Sequence, residues 1–252
     1  MRIDLNADVG ESFGAWRIGE DERLIPLVTS INVACGFHAG DPLVIERTVR
    51  LGIDAGVAIG AHPGYADLAG FGRRDVEMPL DELEASIVYQ VAAVAGFAAA
   101  AGVALRHVKP HGALYNRSAR DGAVAAAIAR GVRRVSADAV LVGLARSLSL
   151  AAARDAGLRV AAEAFADRAY EPDGSLRSRR FPDSMIGDPA AAARQAVSIA
   201  RDRCVTAIDG TVIAIDADTI CVHGDEPGAT DRARAVRDAL ESAGVKVAAL
   251  AS

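Results

Sequence analysis

The sequence predicts an α/β fold: a single (β/α) barrel of seven or eight mainly parallel strands. Three observations predict it. Short strand-like runs alternate with helix-like runs along the chain, which implies βαβ units, right-handed crossovers and a mainly parallel sheet. Seven or eight such units favour a closed barrel over an open sheet. The length, 252 residues, is one that α/β barrels use as a single domain. With no fixed-period repeat, low-complexity tract or linker, one domain over 1–252 is expected.

The elements run in order. Ile3-Asp4-Leu5-Asn6 alternates apolar and polar residues as a strand does, and a loop with Gly10 and Gly14 comes next. Ile31–Ala34 is a second strand, after which Asp41-Pro42 opens a helix, with aspartate as the cap and proline at the first helical position. Val57–Gly60 is a third strand, leading through His62-Pro63-Gly64 into an irregular stretch over 62–79. Loops of that length in a compact domain are commonly functional. Asp81, with Glu84 three residues on, predicts the start of a long helix that ends at Gly102. A strand then runs into His107-Val108-Lys109-Pro110-His111-Gly112, where proline and glycine predict a tight loop. Helices near 120–131 and 147–156 flank a strand at Val140–Val142, and Leu158–Ala161 is the next strand. An arginine-rich loop reaches Gly187, and Asp188-Pro189 repeats the aspartate–proline helix start. Val212–Ile215 and Thr219–Val222 are strand-like, followed by a helix from about Thr230 and a last strand near 246–250.

The chain is 51% apolar and 24% charged, ordinary for a globular protein with a sizeable core, and its aromatic content of 4% means an aliphatic, alanine-rich interior. A net charge of −5 gives no argument for nucleic acid or a membrane surface. Three cysteines without framework spacing suggest a reducing compartment. The charged N-terminus lacks an apolar signal core, and no 18-residue apolar span is expected, so a soluble cytoplasmic protein is predicted.

The polar clusters share one position: each follows a predicted strand. They are Asp4/Asn6/Asp8/Glu11, His38/Asp41, His62, His107/Lys109/His111, Glu163/Asp167/Arg168 and His223/Asp225. In a parallel barrel the loops after the strands gather at the face where active sites sit. All five histidines are therefore expected to converge on one mouth. Cys35 and Cys221 fit small buried strand-end residues better than metal ligands. Arg73 and Arg74 fit either a solvated loop face or an anion clamp. No His-Glu-x-x-His helix, Walker-type loop or Gly-x-Ser-x-Gly elbow is present.

The runs DLNADVGES, INVACGFHAGDP, GAHPGY with GFGRR, HVKPHGALYN, EAFADRAYEPDG and ICVHGDEP resemble the LamB/YcsF family over almost the whole chain. Gly64 departs from the family, which often has serine there, with no expected effect on the chemistry. The resemblance implies a barrel related to the polysaccharide-deacetylase type. It implies ATP-dependent opening of 5-oxo-L-proline to L-glutamate, as the A subunit of a 5-oxoprolinase with partner subunits B and C. A five-membered lactam resists hydrolysis, so coupling to ATP is needed. With no ATP motif in this chain, the partners are expected to phosphorylate the amide oxygen. For that reaction the expected catalytic groups are Asp8 or Glu163 as base, Lys109 with Arg73 as anion binders, and His111 or His62 as proton donor. Asn6, His38, His107, Tyr115, Asn116, Asp167 and His223 are expected around the substrate. Two alternatives stand beside it. One is a stand-alone amidohydrolase or deacetylase with a divalent metal on a set drawn from Asp8, His38, His62 and His111. The other is a non-catalytic lactam-binding subunit. Exposed alanine-rich helices are compatible with a homo-oligomer.

Overall fold

The structure is a computed structural model that describes residues 1–250. Strands β1 (Arg2–Val9), β2 (Ser30–Ala34), β3 (Ala58–His62), β4 (His107–Val108), β5 (Val140–Leu144) and β6 (Arg159–Phe165) pair in parallel and in sequence order. The hairpin strands β7 (Cys204–Thr206) and β8 (Val212–Ala214) lie outside that sheet, paired antiparallel. Strand β9 (Thr219–Val222) pairs with both β6 and β1 and closes a seven-stranded parallel barrel. The short β10 (Lys246–Val247) adds to the start of β1. The expected strand at 212–215 thus belongs to a hairpin rather than the barrel, because its partner β7 carried no strand signal of its own.

Helices α1 (Asp21–Leu24), α2 (Pro42–Asp54), α3 (Leu80–Ala100), α4 (Gly112–Ser118), α5 (Gly122–Val135), α6 (Leu148–Asp155), α7 (Pro189–Val197) and α8 (Ala229–Ser242) alternate with the strands. Asp41 and Asp188 cap as expected, accepting from Leu43 and Val44, and from Ala190 and Ala191. Asp121 does the same for α5. The capping expected of Asp81 and Glu84 is not seen: α3 starts at Leu80, and Glu84 instead pairs with Arg130 and Arg134 of α5. Helix α3 is long and apolar enough to cross a membrane by length and composition, which corrects the expectation that no such span exists. Its buried stripe of Leu83, Ile87, Val91 and Val94 belongs to the main core.

Pro110 precedes a helix that Gly112 opens, so the two do not mark a loop. Gly112, at φ +53°, turns the chain from β4 into α4, and a Cβ there would meet the Gly72 carbonyl oxygen at 2.6 Å. Tyr115 and Asn116 are consequently helical residues. Strands β1 and β6 also run further than expected. Asp8 and Glu163 therefore project from strands, and the polar clusters begin inside the barrel rather than only in the loops above it. Ile3, Leu5, Ala7 and Val9 of β1 join the apolar layer that contains Leu83 of α3 and Val236 of α8. Between them, Asp4, Asn6 and Asp8 face the lumen.

Candidate active site

Most barrels of this kind fill the lumen with branched apolar side chains. This one fills it with a hydrogen-bond network. At the floor, Asp4 accepts from the hydroxyls of Thr29, Ser30 and Thr219. Above it, Asn6 donates to Thr219 Oγ1 (2.7 Å) and Glu163 Oε1 (3.0 Å) and accepts from Asn32 (2.7 Å). Asn32 also donates to Asp8 Oδ1 at 2.8 Å and accepts from His107 Nε2 at 2.8 Å. His107 fits only because residue 60 is glycine: a Cβ there would collide with the imidazole. Burial first, then the neighbouring Lys109 charge, lowers the pKa of His107 to about 3. It is a neutral lumen residue and not part of the mouth, which corrects the expected convergence of all five histidines.

Lys109 follows β4 and is 2% exposed. Its Nζ lies 2.9 Å from Asp8 Oδ1, 2.9 Å from Glu163 Oε1, 3.0 Å from Cys221 Sγ and 3.3 Å from Asn6 Oδ1. Burial opposes the ammonium charge, but Asp8 and then Cys221 and Glu163 outweigh it and hold the pKa well above the usual lysine value. Burial likewise opposes the Asp8 charge, and His62 and Lys109 outweigh that to hold it well below the usual carboxylate range. Both groups are therefore charged at neutral pH.

Beside this pair stand three imidazoles. His62 Nδ1 lies 2.7 Å from the Lys109 carbonyl, and His111 Nε2 lies 2.8 Å from the Phe71 carbonyl. Carbonyls only accept, so these two nitrogens carry the protons. In the neutral rings the remaining nitrogens, His62 Nε2 and His111 Nδ1, then face each other as lone pairs 3.0 Å apart. That contact requires a proton or a cation between them. Asp8 Oδ2 lies 3.3 Å from His62 Nε2, and Glu11 Oε1 lies 3.6 Å from His111 Nδ1 and 3.5 Å from His38 Nε2. His38 stacks on His111 with ring centroids 3.7 Å apart. Burial pushes the pKa of both His38 and His111 well below the imidazole value, and burial, Asp225 and Asp8 push Glu11 up. Glu11 Oε1 and both His38 ring nitrogens are buried without a hydrogen-bond partner.

The loop over 63–79 reaches these rings through small residues. A Cβ at Gly72 would come 2.8 Å from both His38 and His111, and one at Gly64 would come 2.8 Å from His38 Nδ1. Residue 64 therefore packs directly against His38. Gln90 of α3 fixes that backbone, accepting from Gly64 N–H and donating to its carbonyl, both at 2.9 Å. No motif pointed to Gln90.

A cavity of about 770 Å³ opens above this cluster. Asp8, His62, Lys109, His111, Tyr115, Asn116, Arg73 and His223 line it, as does Glu11. Asn6, His38, His107, Glu163 and Asp167 do not, and sit behind it as supports. Asp167 holds His223 through its backbone N–H (2.8 Å) and Nδ1 (2.9 Å). Lys109 and Arg73, expected as anion binders, already have carboxylates: Asp8 and Glu163 for the first, Asp225 for the second. Tyr115 brings its ring edge-on to Phe165, leaving its hydroxyl without a partner. A second grouping, Asp8 with Cys221 and His223, also brings donor atoms together. Burial raises the Cys221 thiol pKa, which keeps it protonated and a poor ligand. Sequence patterns undervalued Glu11, whose role depends on three histidines from other loops, and the cavity arginines Arg146, Arg168, Arg179 and Arg180.

The chain is similar to known proteins along its whole length. The A subunit of a 5-oxoprolinase from Chloroflexus aggregans is 58% identical over 247 residues, covering 98% of each chain. Its counterpart from Syntrophobacter fumaroxidans is 51% identical over 250 residues, covering 99% of each. The crystal structure of a lactam utilization protein from Thermus thermophilus superposes with a TM-score of 0.94 at 49% identity, over 99% of this chain and 100% of that one. The LamB/YcsF family model matches residues 3–252. A polar-lumen barrel with this histidine-ringed mouth, matched end to end at such identities, belongs to the LamB/YcsF family.

Proposed function

We propose that this chain is the hydrolytic A subunit of a 5-oxoprolinase, opening 5-oxo-L-proline to L-glutamate with ATP spent by a complex that includes partner subunits B and C. The observation that carries it is the ionised Asp8–Lys109 pair facing a cavity of substrate size, in a chain whose relatives bear that enzyme's name. The partners phosphorylate the lactam oxygen, and this subunit brings water to the activated carbon. His62 Nε2 takes a proton from that water, and Asp8 Oδ2, 3.3 Å away, stabilises the imidazolium that results. The water oxygen bonds to the phosphorylated carbon, the carbon–nitrogen bond breaks to leave γ-glutamyl phosphate, and the same proton passes to the leaving ring nitrogen. A second water then releases phosphate to give L-glutamate. Lys109 offers fixed positive charge to the phosphorylated oxygen of the tetrahedral species. Asp8, with its low pKa, is too weak a base to act alone and serves as the partner of His62. Glutamate release measured with and without ATP, using this chain alone and with both partners, tests the proposal. Glutamate only from the full set with ATP supports it. Glutamate from this chain alone without ATP overturns it. Undiminished turnover of the complex with Asp8→Asn would leave only a lactam-binding role.

A second reading, a divalent-metal hydrolase, rests on its own observation. The opposed lone pairs of His62 and His111, with orphaned Glu11 Oε1 and His38 nitrogens beside them, suit a cation. Glu11, His38, His62 and His111 would hold it, rather than the expected set with Asp8. A zinc ion there would lower the pKa of bound water to about 7. Elemental analysis of the purified chain decides: one zinc or similar ion per chain favours this reading, and none favours the first.

A further inference from the structure

Arg168 is the one cation of the cavity that is both buried and without a carboxylate among the described residues. It is 4% exposed and forms no ion pair within 4 Å, unlike Lys109, Arg73 and Arg179. Two of its three nitrogens donate to main chain: Nε to Ser184 O at 3.3 Å and Nη2 to Arg177 O at 2.6 Å. The third, Nη1, has no protein acceptor, and the residue lines the cavity. Gln195 fixes its backbone by donating to the Arg168 carbonyl at 2.8 Å. Buried guanidinium charge left uncompensated is costly, which makes such a group a waiting partner for an anion. Arg73 and Arg179 already pair with Asp225 and Glu226, and Asp167, the carboxylate that acts on Arg168, is held by His223. Burial and the nearby Arg179 lower the Arg168 pKa to about 10, as expected for a cation awaiting its counter-charge.

We propose that Arg168 is the oxyanion seat of the cavity, with Nη1 donating to a carboxylate or phosphoryl oxygen of the bound ligand. On the lactam reading, these would be the carboxylate of 5-oxo-L-proline or the phosphoryl group added to it; the seat itself does not depend on that reading. A guanidinium fork keeps its plane toward the cavity because two main-chain carbonyls hold its other edge.

Calorimetric titration of the purified chain with 5-oxo-L-proline, inorganic phosphate and 2-pyrrolidinone, which is the same lactam without a carboxylate, tests the seat. Arg168→Gln is expected to weaken the anionic ligand about 10- to 100-fold, the range for hydrogen bonds to charged groups, and to leave 2-pyrrolidinone unchanged. Loss confined to 5-oxo-L-proline assigns the seat to the carboxylate, and loss confined to phosphate assigns it to the phosphoryl group. Arg168-dependent phosphate binding with no 5-oxo-L-proline binding would sink the lactam reading and keep the seat. Equal affinities in variant and unaltered chain, an equal loss for 2-pyrrolidinone, or no anion binding at all overturns the seat. Since Arg168 also ties down its loop, crystals of the unaltered chain soaked in either anion give an independent answer. An oxyanion within hydrogen-bond distance of Nη1 supports the proposal, and an anion bound elsewhere in the cavity or absent overturns it.

Discussion

Asp4 and Asp8 stand on one strand, four residues apart, both facing the lumen and both almost wholly buried. Their carboxyls behave oppositely. Asp4 is met by the hydroxyls of Thr29, Ser30 and Thr219, and burial still wins, raising its pKa. Asp8 is met by His62 and Lys109, and their charges outweigh the same burial, lowering its pKa. Neutral donors soften the cost of a buried charge, whereas a cation at hydrogen-bond distance reverses it. The floor is thus a satisfied network that braces the barrel. The mouth keeps polar atoms without partners: Glu11 Oε1, both His38 nitrogens, Glu163 Oε2 and the Tyr115 hydroxyl. Unmet buried groups cost stability and persist where a ligand completes them.

The sharpest way to break the contrast is to remove the cation. Lys109→Met leaves Asp8 and Glu163 buried without a counter-charge and should destabilise the fold by about 3–5 kcal/mol, read as a lower urea midpoint, with glutamate formation by the complex lost. A midpoint within error of the unaltered chain would show that the pair is not what holds the mouth together. Asparagine exchange at the two aspartates separates their roles. Asp8→Asn should lower turnover of the complex about 10²- to 10⁴-fold, the usual share of one acid–base group. Asp4→Asn should leave turnover largely intact and cost about 1–3 kcal/mol of stability, the penalty of an unmet buried amide. Equal turnover losses from both would erase the distinction between floor and mouth.

The smallest effect is a difference in slope with pH. The folded pKa of Asp4 lies above its unfolded value of about 3.9. Its contribution is full below that value and is lost as pH rises through the folded pKa. For Asp8 the folded pKa lies below, so its contribution is present above about 3.9 and is lost as pH falls. Urea midpoints from pH 3 to 8 should therefore show the Asp4→Asn deficit shrinking with rising pH and the Asp8→Asn deficit growing. Parallel curves would contradict the opposite shifts.

Much of the scaffold was legible because its signals are local. Asp41-Pro42 and Asp188-Pro189 announce their helices by satisfying amides two and three residues away. The alternation of β1 separates lumen from outer layer within eight residues. The helix at Gly112 was missed because proline and glycine mark a turn without specifying the next element. Of the hairpin, Val212–Ile215 read as a strand, while its short partner Cys204–Thr206 was missed because a three-residue strand is defined by its pairing. In the site, the histidines and Lys109 stood out as rare residue types at strand ends; Glu11 and Arg168 were placed in the strand-end clusters without a role, and Gln90 looked like an ordinary surface polar residue.

From the sequence alone came the alternation of strands and helices, the barrel class, the capped helix starts, and the residue types at its mouth. Only the tertiary structure decided which aspartate has its pKa raised and which lowered, which ring nitrogens oppose each other, that His107 belongs to the lumen, and that Arg168 has no ion pair within 4 Å. The physical reason is range. Caps and strand periodicity are fixed by neighbours a few residues away, while a buried charge takes its state from groups brought within about 4 Å by closure of the barrel.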